Sequence, residues 1–483
     1  MVPGVVEQAV YRTGDVHPFL AADTPFLYLV ESGGIIDLNP TAAAAFALIR
    51  DRAATRDEVA HAMVSKGFET GDIHEALDEL DQFGAILDRA PGPPAIQEPV
   101  ENFPLQTMVL NLTNQCNLSC GYCYEFGEDK VATPDGKPKF MSWEIARSAV
   151  DRLFIDSAGR HAIHVTFFGG ETLMNFPLLE RVVAYANEKA ASEGRSIDYS
   201  LTTNATLLNA RIIQFLAENS IGVTVSIDGP KEMNDKLRVF ANGKGSYEII
   251  APKVRELLAA HKTRPIAARV TLTAEVRDVT SIFRHLRQEM GFHEVGFAPV
   301  TTSPQRLYAI GPSGLDQVLD QFRTLAYEYR DCALRNEAHG FSNVSDTLNE
   351  LHQGINKSHP CGAGLGLVGV GPSGDISPCH RFVDSDTHKL GHVDTGIDRT
   401  VQADFLKRGH IGSKYDCHSC WARPLCAGGC HHEAFVRYGD TGHPNLHYCD
   451  WIRGWTDLCL EIYGEIAVKN PMFLNHFDRR KSV

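Results

Sequence analysis

Between Thr107 and Val300 the chain alternates six short apolar runs with amphipathic stretches. The runs are MVLNLT, HVTFFGG, YSLTTNA, VTVSID, ARVTLT and EVGFAPV, and the stretches between them include WEIARSAVDRLFI, LLERVVAYANEKAA and IIQFLAENS. Runs rich in β-branched side chains read as strands, and apolar positions recurring every three to four residues read as helices. Strand and helix repeated in this order predict a parallel α/β sheet, either open or closed into a barrel. In a barrel the chemistry sits in loops that follow the carboxyl ends of the strands.

The flanks differ in texture. Residues 1–90 read as a small winged-helix-like unit. FLYLV and GGIIDLN form a hairpin about Ser32, Gly33 and Gly34, and AILD returns as a strand. Between them lie three helical patterns, PTAAAAFALIRDRA, with Asn39 as cap and Pro40 in its first turn, TRDEVAHAMVSKG and TGDIHEALDELDQFG. The proline-rich RAPGPPAIQEPVEN predicts a linker over 91–104, and residues 311–360 read as a helical bridge behind a barrel domain of 105–310. From 361 on, glycines multiply and seven of the twelve cysteines fall before 450. So few apolar residues cannot fill a large core, and bound metal is expected to hold this segment together.

Cys116, Cys120 and Cys123 in NLTNQCNLSCGYCYE form C-x3-C-x2-C on the loop after the first predicted strand. The start of the chain shows no export signal and no run reaches the eighteen or so apolar residues of a membrane helix, so a cytoplasmic protein without membrane contact is expected. Cytoplasmic thiols stay reduced, which turns twelve cysteines toward ligation rather than disulfides. Three thiolates can hold a four-iron cluster by three corners and leave one iron open. A zinc loop or three buried thiols are the alternatives. The formal charge of −14 is spread along the chain and argues against nucleic acid as a partner.

This loop resembles the signature of the radical S-adenosylmethionine (radical SAM) superfamily. The resemblance implies a partial (β/α)6 barrel, a [4Fe–4S] cluster and SAM chelated at its open iron. It also implies that Tyr122 lies against the adenine, that Gly169 and Gly170 of FFGGE let the backbone approach SAM, and that Glu171 accepts from the SAM ammonium. Asn204 of LTTNA, with Ser226 and Asp228 of VSIDGP, would contact ribose and carboxylate, and Arg269 of ARVTLT would be the counter-ion of the SAM carboxylate. Each of these residues also suits an ordinary turn or polar strand end.

Further on, Cys361 and Cys379 frame C-x12-G-x4-C around Gly374, followed by Cys417-x2-Cys420-x5-Cys426-x3-Cys430 and then Cys449. The order resembles the SPASM extension of radical SAM enzymes, which implies a domain over 361–483 with two auxiliary clusters, three [4Fe–4S] clusters in all. By that resemblance Cys361, Cys379 and Cys430 serve auxiliary cluster I, and Cys417, Cys420, Cys426 and Cys449 serve auxiliary cluster II. Structural zinc is the alternative. Seven thiolates are one short of eight, which leaves cluster I an open iron or a non-cysteine ligand. Cys459 and Cys332 are the cysteines left to supply the missing ligand, but both follow helical spacing and read better as core, while His380, His431 and His432 flank cluster cysteines and read as supports. Asp478 in the tail PMFLNHFDRRKSV is a candidate base for a substrate thiol, or else an ordinary tail carboxylate.

The amino-terminal unit is acid-rich and would repel phosphate. It is similar to precursor-recognition elements of peptide-modifying enzymes, which take a leader peptide as an added edge strand; a structural cap is the other reading. The whole resembles maturases of ribosomally made peptides, and among them those of quinohemoprotein amine dehydrogenase, which link cysteine sulfur to methylene carbons of aspartate or glutamate in its small subunit. The implied partners are a precursor with an amino-terminal leader and an external electron donor. The rival expectations are an anaerobic sulfatase-type formylglycine maturase and a non-catalytic iron–sulfur adaptor.

Overall fold

The computed structural model describes residues 9–92, 103–133 and 135–478. Most of the predicted linker and the basic end of the tail lie outside the described residues. At the amino terminus come β1 (Val10–Thr13), a meander of β2 (Val16–Ala21), β3 (Thr24–Leu29) and β4 (Gly34–Asp37), and the helix Pro40–Asp51. After it follow β5 (Ala54–Thr55), the helices Arg56–Val64 and Thr70–Gln82, and β6 (Ile86–Leu87). The three helices stand where the periodicity places them. Asn39 Oδ1 accepts from the Ala42 N–H at 2.8 Å, and Thr55 and Glu58 cap the second helix reciprocally. The unit has its own core, with Leu27, Phe46, Met63, Leu77 and Ile86 in it. Strand β2 escapes the sequence reading because it carries Pro18; it runs along the edge of its sheet, where a missing N–H costs no ladder bond.

All six predicted barrel strands form. They are β7 (Thr107–Asn111), β8 (Ala162–Phe168), β9 (Ser196–Thr203), β10 (Gly222–Ser226), β11 (Ile266–Leu272) and β12 (Glu294–Pro299), each paired parallel with the next. Helices such as Trp143–Asp156, capped by Ser142 on the Ile145 N–H, and Phe176–Ser192 return the chain between them. The sheet stays open. On its β7 side it continues into β13 (Leu367–Val370), parallel to β7 with Val370 opposite Leu110, and then into the antiparallel β14 (Asp375–Ser377), β15 (Gly391–His392) and β16 (Gly396–Ile397).

The cysteine-rich segment therefore does not stand apart from the barrel. Val368, Val370, Ile376, Leu390, Phe405 and Leu406 are buried in the same core as the barrel strands. Covering β7 removes an open strand edge and gives these few apolar residues a core to join. The helix Pro312–Leu334 buries Leu315, Val318, Phe322, Leu325 and Tyr329 against the helix Cys449–Lys469, which buries Trp455, Leu458, Cys459 and Ile462. Cys332 departs from its expected place: Ala333 takes the buried position on the last turn, and Cys332 is half-exposed beside Arg335. The amino-terminal unit docks on the carboxy-terminal region, where His17 stacks on Trp421 at 3.6 Å and meets Asp457 at 2.7 Å, and Asp15 pairs with Arg423. Among the described residues no helix is long and apolar enough to cross a membrane.

Candidate active site

Where β7 ends, the chain turns into the cysteine loop, and a cavity of about 540 Å³ opens at the carboxyl ends of the barrel strands. Cys116, Cys120, Cys123 and Tyr122 line it, together with Gly169, Gly170, Asn204, Ser226 and Arg269. The cavity therefore gathers all the predicted SAM contacts except Glu171 and Asp228. Burial pushes the Cys116 thiol up to about 12 and the Cys123 thiol to about 11, so ligation here must release protons. Sulfur-directed donors are in place: the Leu118 N–H reaches Cys116 Sγ at 3.4 Å and the Asn204 amide reaches it at 3.7 Å. Among the described residues no three His, Cys, Asp or Glu side chains converge on a single-ion site, and these thiols border a shared space instead.

Close packing explains the two glycines. A Cβ on Gly169, whose φ is +128°, would lie 2.3 Å from the Thr113 carbonyl oxygen, and one on Gly170 would lie 2.3 Å from that of Gln115. Their backbones are sewn to the cysteine loop, with the Gly170 N–H donating to Thr113 O and the Glu171 N–H donating to Gln115 O. Glu171 itself faces inward. Its carboxylate, on a side chain 1% exposed, accepts from the Asn204 and Leu173 N–H groups and the Thr203 hydroxyl, which makes it a brace between β8 and β9.

Asp228 is likewise turned into the protein. It accepts from Tyr122 Oη at 2.5 Å, Arg238 Nε at 2.8 Å and the Thr271 N–H at 2.9 Å, and so fixes the ring that the cavity sees. Arg238, unmarked in the sequence, completes that anchor and reaches the cavity lining. Arg269 stays open to the cavity, yet burial and then the nearby Arg381 make its cation less favourable than usual. Asp478 lies elsewhere: its side chain is 65% exposed and meets His352 at 2.9 Å, away from the cavity lining, so the structure favours the tail-carboxylate reading.

The carboxy-terminal thiols fall into two groups by mutual electrostatic influence. Cys361, Cys379 and Cys430 form one, and Cys417, Cys420, Cys426 and Cys449 the other. The second group borders a smaller cavity of about 220 Å³, whose lining Cys430 of the first group also reaches. Burial raises Cys379 and Cys417 to about 12 each. Lys414, 2% exposed, donates to Ala427 O at 2.9 Å and feels thiols of both groups. His431 Nε2, both nitrogens of His432 and Trp451 Nε1 are buried without a hydrogen-bond acceptor or donor among the described residues. Grouped thiols with a buried lysine cation beside them fit anionic, sulfide-rich clusters. Cys459 stays in the helix core, away from both groups.

Some lining residues carry no sequence signal of their own. Arg381 and His380 reach the cavity from the turn after β14, and Glu125, raised to about 8 by burial and then by Asp384, follows the third cysteine. The triplet Cys379-His380-Arg381 is the one sign available in the sequence, and it reads as a ligand with neighbours until β13 brings it beside β7.

An open parallel half-barrel whose first loop turns three thiols toward a cavity shared with paired glycines and an arginine has the form of a radical SAM core. The family model of the radical SAM superfamily matches residues 110–272. Over 366 residues the chain is 31% identical to the radical SAM cyclopropyl synthase TigE of Paramaledivibacter caminithermalis, covering 72% of each chain. It is 29% identical over 371 residues to the serine-type anaerobic sulfatase-maturating enzyme of Bacteroides thetaiotaomicron, covering 71% of this chain and 86% of that one. A shorter stretch of 143 residues is 38% identical to an uncharacterized protein of Methanocaldococcus jannaschii, of which the chain covers 45%. The structure of anSMEcpe with bound AdoMet and the Cp18Cys peptide superposes with a TM-score of 0.62 at 20% identity, over 77% of this chain and 99% of that one. The chain belongs to the radical SAM superfamily. It is a radical SAM enzyme, and the family brings with it a [4Fe–4S] cluster and SAM.

Proposed function

We propose that the protein installs thioether cross-links in a ribosomally made precursor, joining cysteine sulfur to a methylene carbon of aspartate or glutamate, with the small subunit of quinohemoprotein amine dehydrogenase as the substrate. One observation carries the reading: His380 and Arg381, next to a thiol of the three-membered group, stand in the wall of the cavity that holds Cys116, Cys120 and Cys123. A peptide entering there would meet the first thiol loop and, across from it, the residues that follow Cys379.

In this reading Cys116, Cys120 and Cys123 hold the first cluster, and the three- and four-thiol groups hold two auxiliary clusters. Bound SAM and its cluster supply a 5′-deoxyadenosyl radical. The chain's own residues do the rest: Tyr122, Gly169, Gly170, Asn204, Ser226 and Arg269 bind and orient SAM, while Glu171 and Asp228 keep that constellation rigid. Each link removes one hydrogen from carbon and one proton from sulfur, and one electron leaves to an acceptor of the iron–sulfur class. Residues 1–90 capture the leader, and an external donor supplies the electron that starts the reaction.

The competing reading is formylglycine formation, favoured by the likeness to a sulfatase-maturating enzyme. Against it stands the amino-terminal unit with a core of its own. Mass spectrometry of the treated precursor decides. The thioether reading expects a loss of two hydrogens per link, resistance to thiol reductants, and deuterium from the acidic residue's methylene in 5′-deoxyadenosine. An aldehyde product would overturn it.

A further inference from the structure

The cavity's carboxy-terminal wall still lacks a role. Arg381 donates through Nη1 to Thr301 Oγ1 at 2.8 Å, just past the end of β12, and its guanidinium carbon lies 4.6 Å from the Tyr124 ring centre. These two contacts aim the group, and against the cost of burial the neighbouring Cys430 and Cys379 favour its cation without pairing with the fork. A guanidinium offers five N–H donors in a planar fork that matches a carboxylate. Among the described residues neither Arg381 nor Arg269 has a carboxylate at ion-pair distance, whereas Arg238 in the same lining pairs with Asp228 at 2.8 Å. Two guanidinium groups without a carboxylate partner thus line one cavity, and an anion entering it can complete them. SAM brings a single carboxylate, which the role proposed for Arg269 already uses. One fork is left over, on the wall nearest the three-thiol group.

We propose that Arg381 is the specificity residue that clamps the side-chain carboxylate of the substrate residue to be modified, so that its methylene is held between the SAM cavity and the thiols of Cys361, Cys379 and Cys430. This rests on reading the cavity as a SAM and peptide site. In aspartate and glutamate the carboxylate carbon is bonded directly to a methylene, so a planar two-point clamp fixes which hydrogens face the radical.

The test uses the full chain, anaerobically reconstituted with iron and sulfide and loaded with SAM. Ligand-observed NMR measures binding of N-acetylaspartate methylamide against N-acetylasparagine methylamide. Wild type should bind the acid at least about tenfold more tightly than the amide. Arg381→Gln should erase that preference, and Arg381→Lys, which keeps the charge but not the fork, should retain part of it. Iron content and near-ultraviolet circular dichroism report whether Arg381→Gln is folded; if it is not, Arg381→Lys decides, by losing acid affinity with amide affinity unmoved. A wild type without preference for the acid, or a folded variant that keeps the full preference, overturns the proposal. An Arg381-dependent preference in an enzyme whose product is not a thioether would sink the proposed reaction and leave the carboxylate subsite standing.

Discussion

The barrel wall of the cavity and the wall supplied by residues 361–449 are stabilised differently. In the barrel, β7 buries Met108, Val109, Leu110 and Asn111 between paired neighbours, and the cysteine loop, Gly169, Gly170, Asn204 and Ser226 lie at strand ends or in the turns after them, with Arg269 within β11. In the carboxy-terminal wall the strands shrink to two to four residues, turns dominate, and the buried polar groups include Lys414, His431 and His432. The first wall rests on a hydrocarbon core of its own, whereas the second borrows that core through a few residues such as Val368 and Leu390 and otherwise gathers thiols and buried polar groups. On the proposed three-cluster reading, loss of iron should therefore cost the barrel its chemistry and the carboxy-terminal region its structure.

The largest expected effect is on chemistry alone. Replacing Cys116, Cys120 and Cys123 together by alanine should abolish release of 5′-deoxyadenosine and remove about a third of roughly 12 iron atoms per chain. The thermal midpoint should barely move, and a large drop would break the contrast between the walls. Next comes Cys417→Ala with Cys426→Ala: a second fraction of the iron should go, and limited proteolysis should now cut between 361 and 450, because ligation there is folding free energy. Uncut protein would show that the shared core suffices.

Gly169→Ala probes the seam in the barrel wall. With φ at +128° and a backbone oxygen 2.3 Å from the new Cβ, it should cost about 2–4 kcal/mol and displace the cysteine loop, so SAM cleavage falls with stability; unchanged cleavage would mean the loop tolerates the shift. The smallest effect concerns the far end of that loop. Burial disfavours the Asp129 carboxylate, but hydrogen bonds from Arg306, Thr302 and Ser303 outweigh it and hold the group to about 2 against an ordinary 3.8. A depressed carboxylate stabilises fully above its unfolded value and loses that contribution as pH falls through the folded one. Wild type should accordingly lose on the order of 2 kcal/mol between about pH 4 and pH 2. Asp129→Asn should show no such loss and start less stable; an identical acid limb in chemical denaturation would discount the bond.

The barrel was legible in the sequence because short runs rich in apolar and β-branched residues alternate with amphipathic stretches, and four of the six, MVLNLT, HVTFFGG, YSLTTNA and VTVSID, end at Gly, Asn or Asp or run into one. β13 was not legible: LVGV is four residues in a glycine-rich stretch, and only the open edge of β7, far away in sequence, gives it a partner. The three cysteines of the first loop announced themselves by spacing. Glu171 and Asp228 sat at the right strand ends but point inward, because the N–H groups that claim them belong to Asn204 and Thr271, more than thirty residues further along. Arg381 was hidden for the opposite reason. A lone arginine after a cysteine means nothing until the fold shows that, among the described residues, no carboxylate lies at ion-pair distance from it.

The pairing of β13 with β7 also sets an order in time. A ribosome finishes β7 and the cysteine loop while the strand that will cover that edge is roughly 250 residues from being made. At about 5–20 residues per second the interval is tens of seconds. Throughout it the nascent half-barrel exposes a row of unpaired peptide groups beside its three thiols, open both to iron delivery and to mispairing with another chain. The carboxy-terminal segment thus closes a maturation window as well as a cavity, and a chain released before Leu367 would keep that window open.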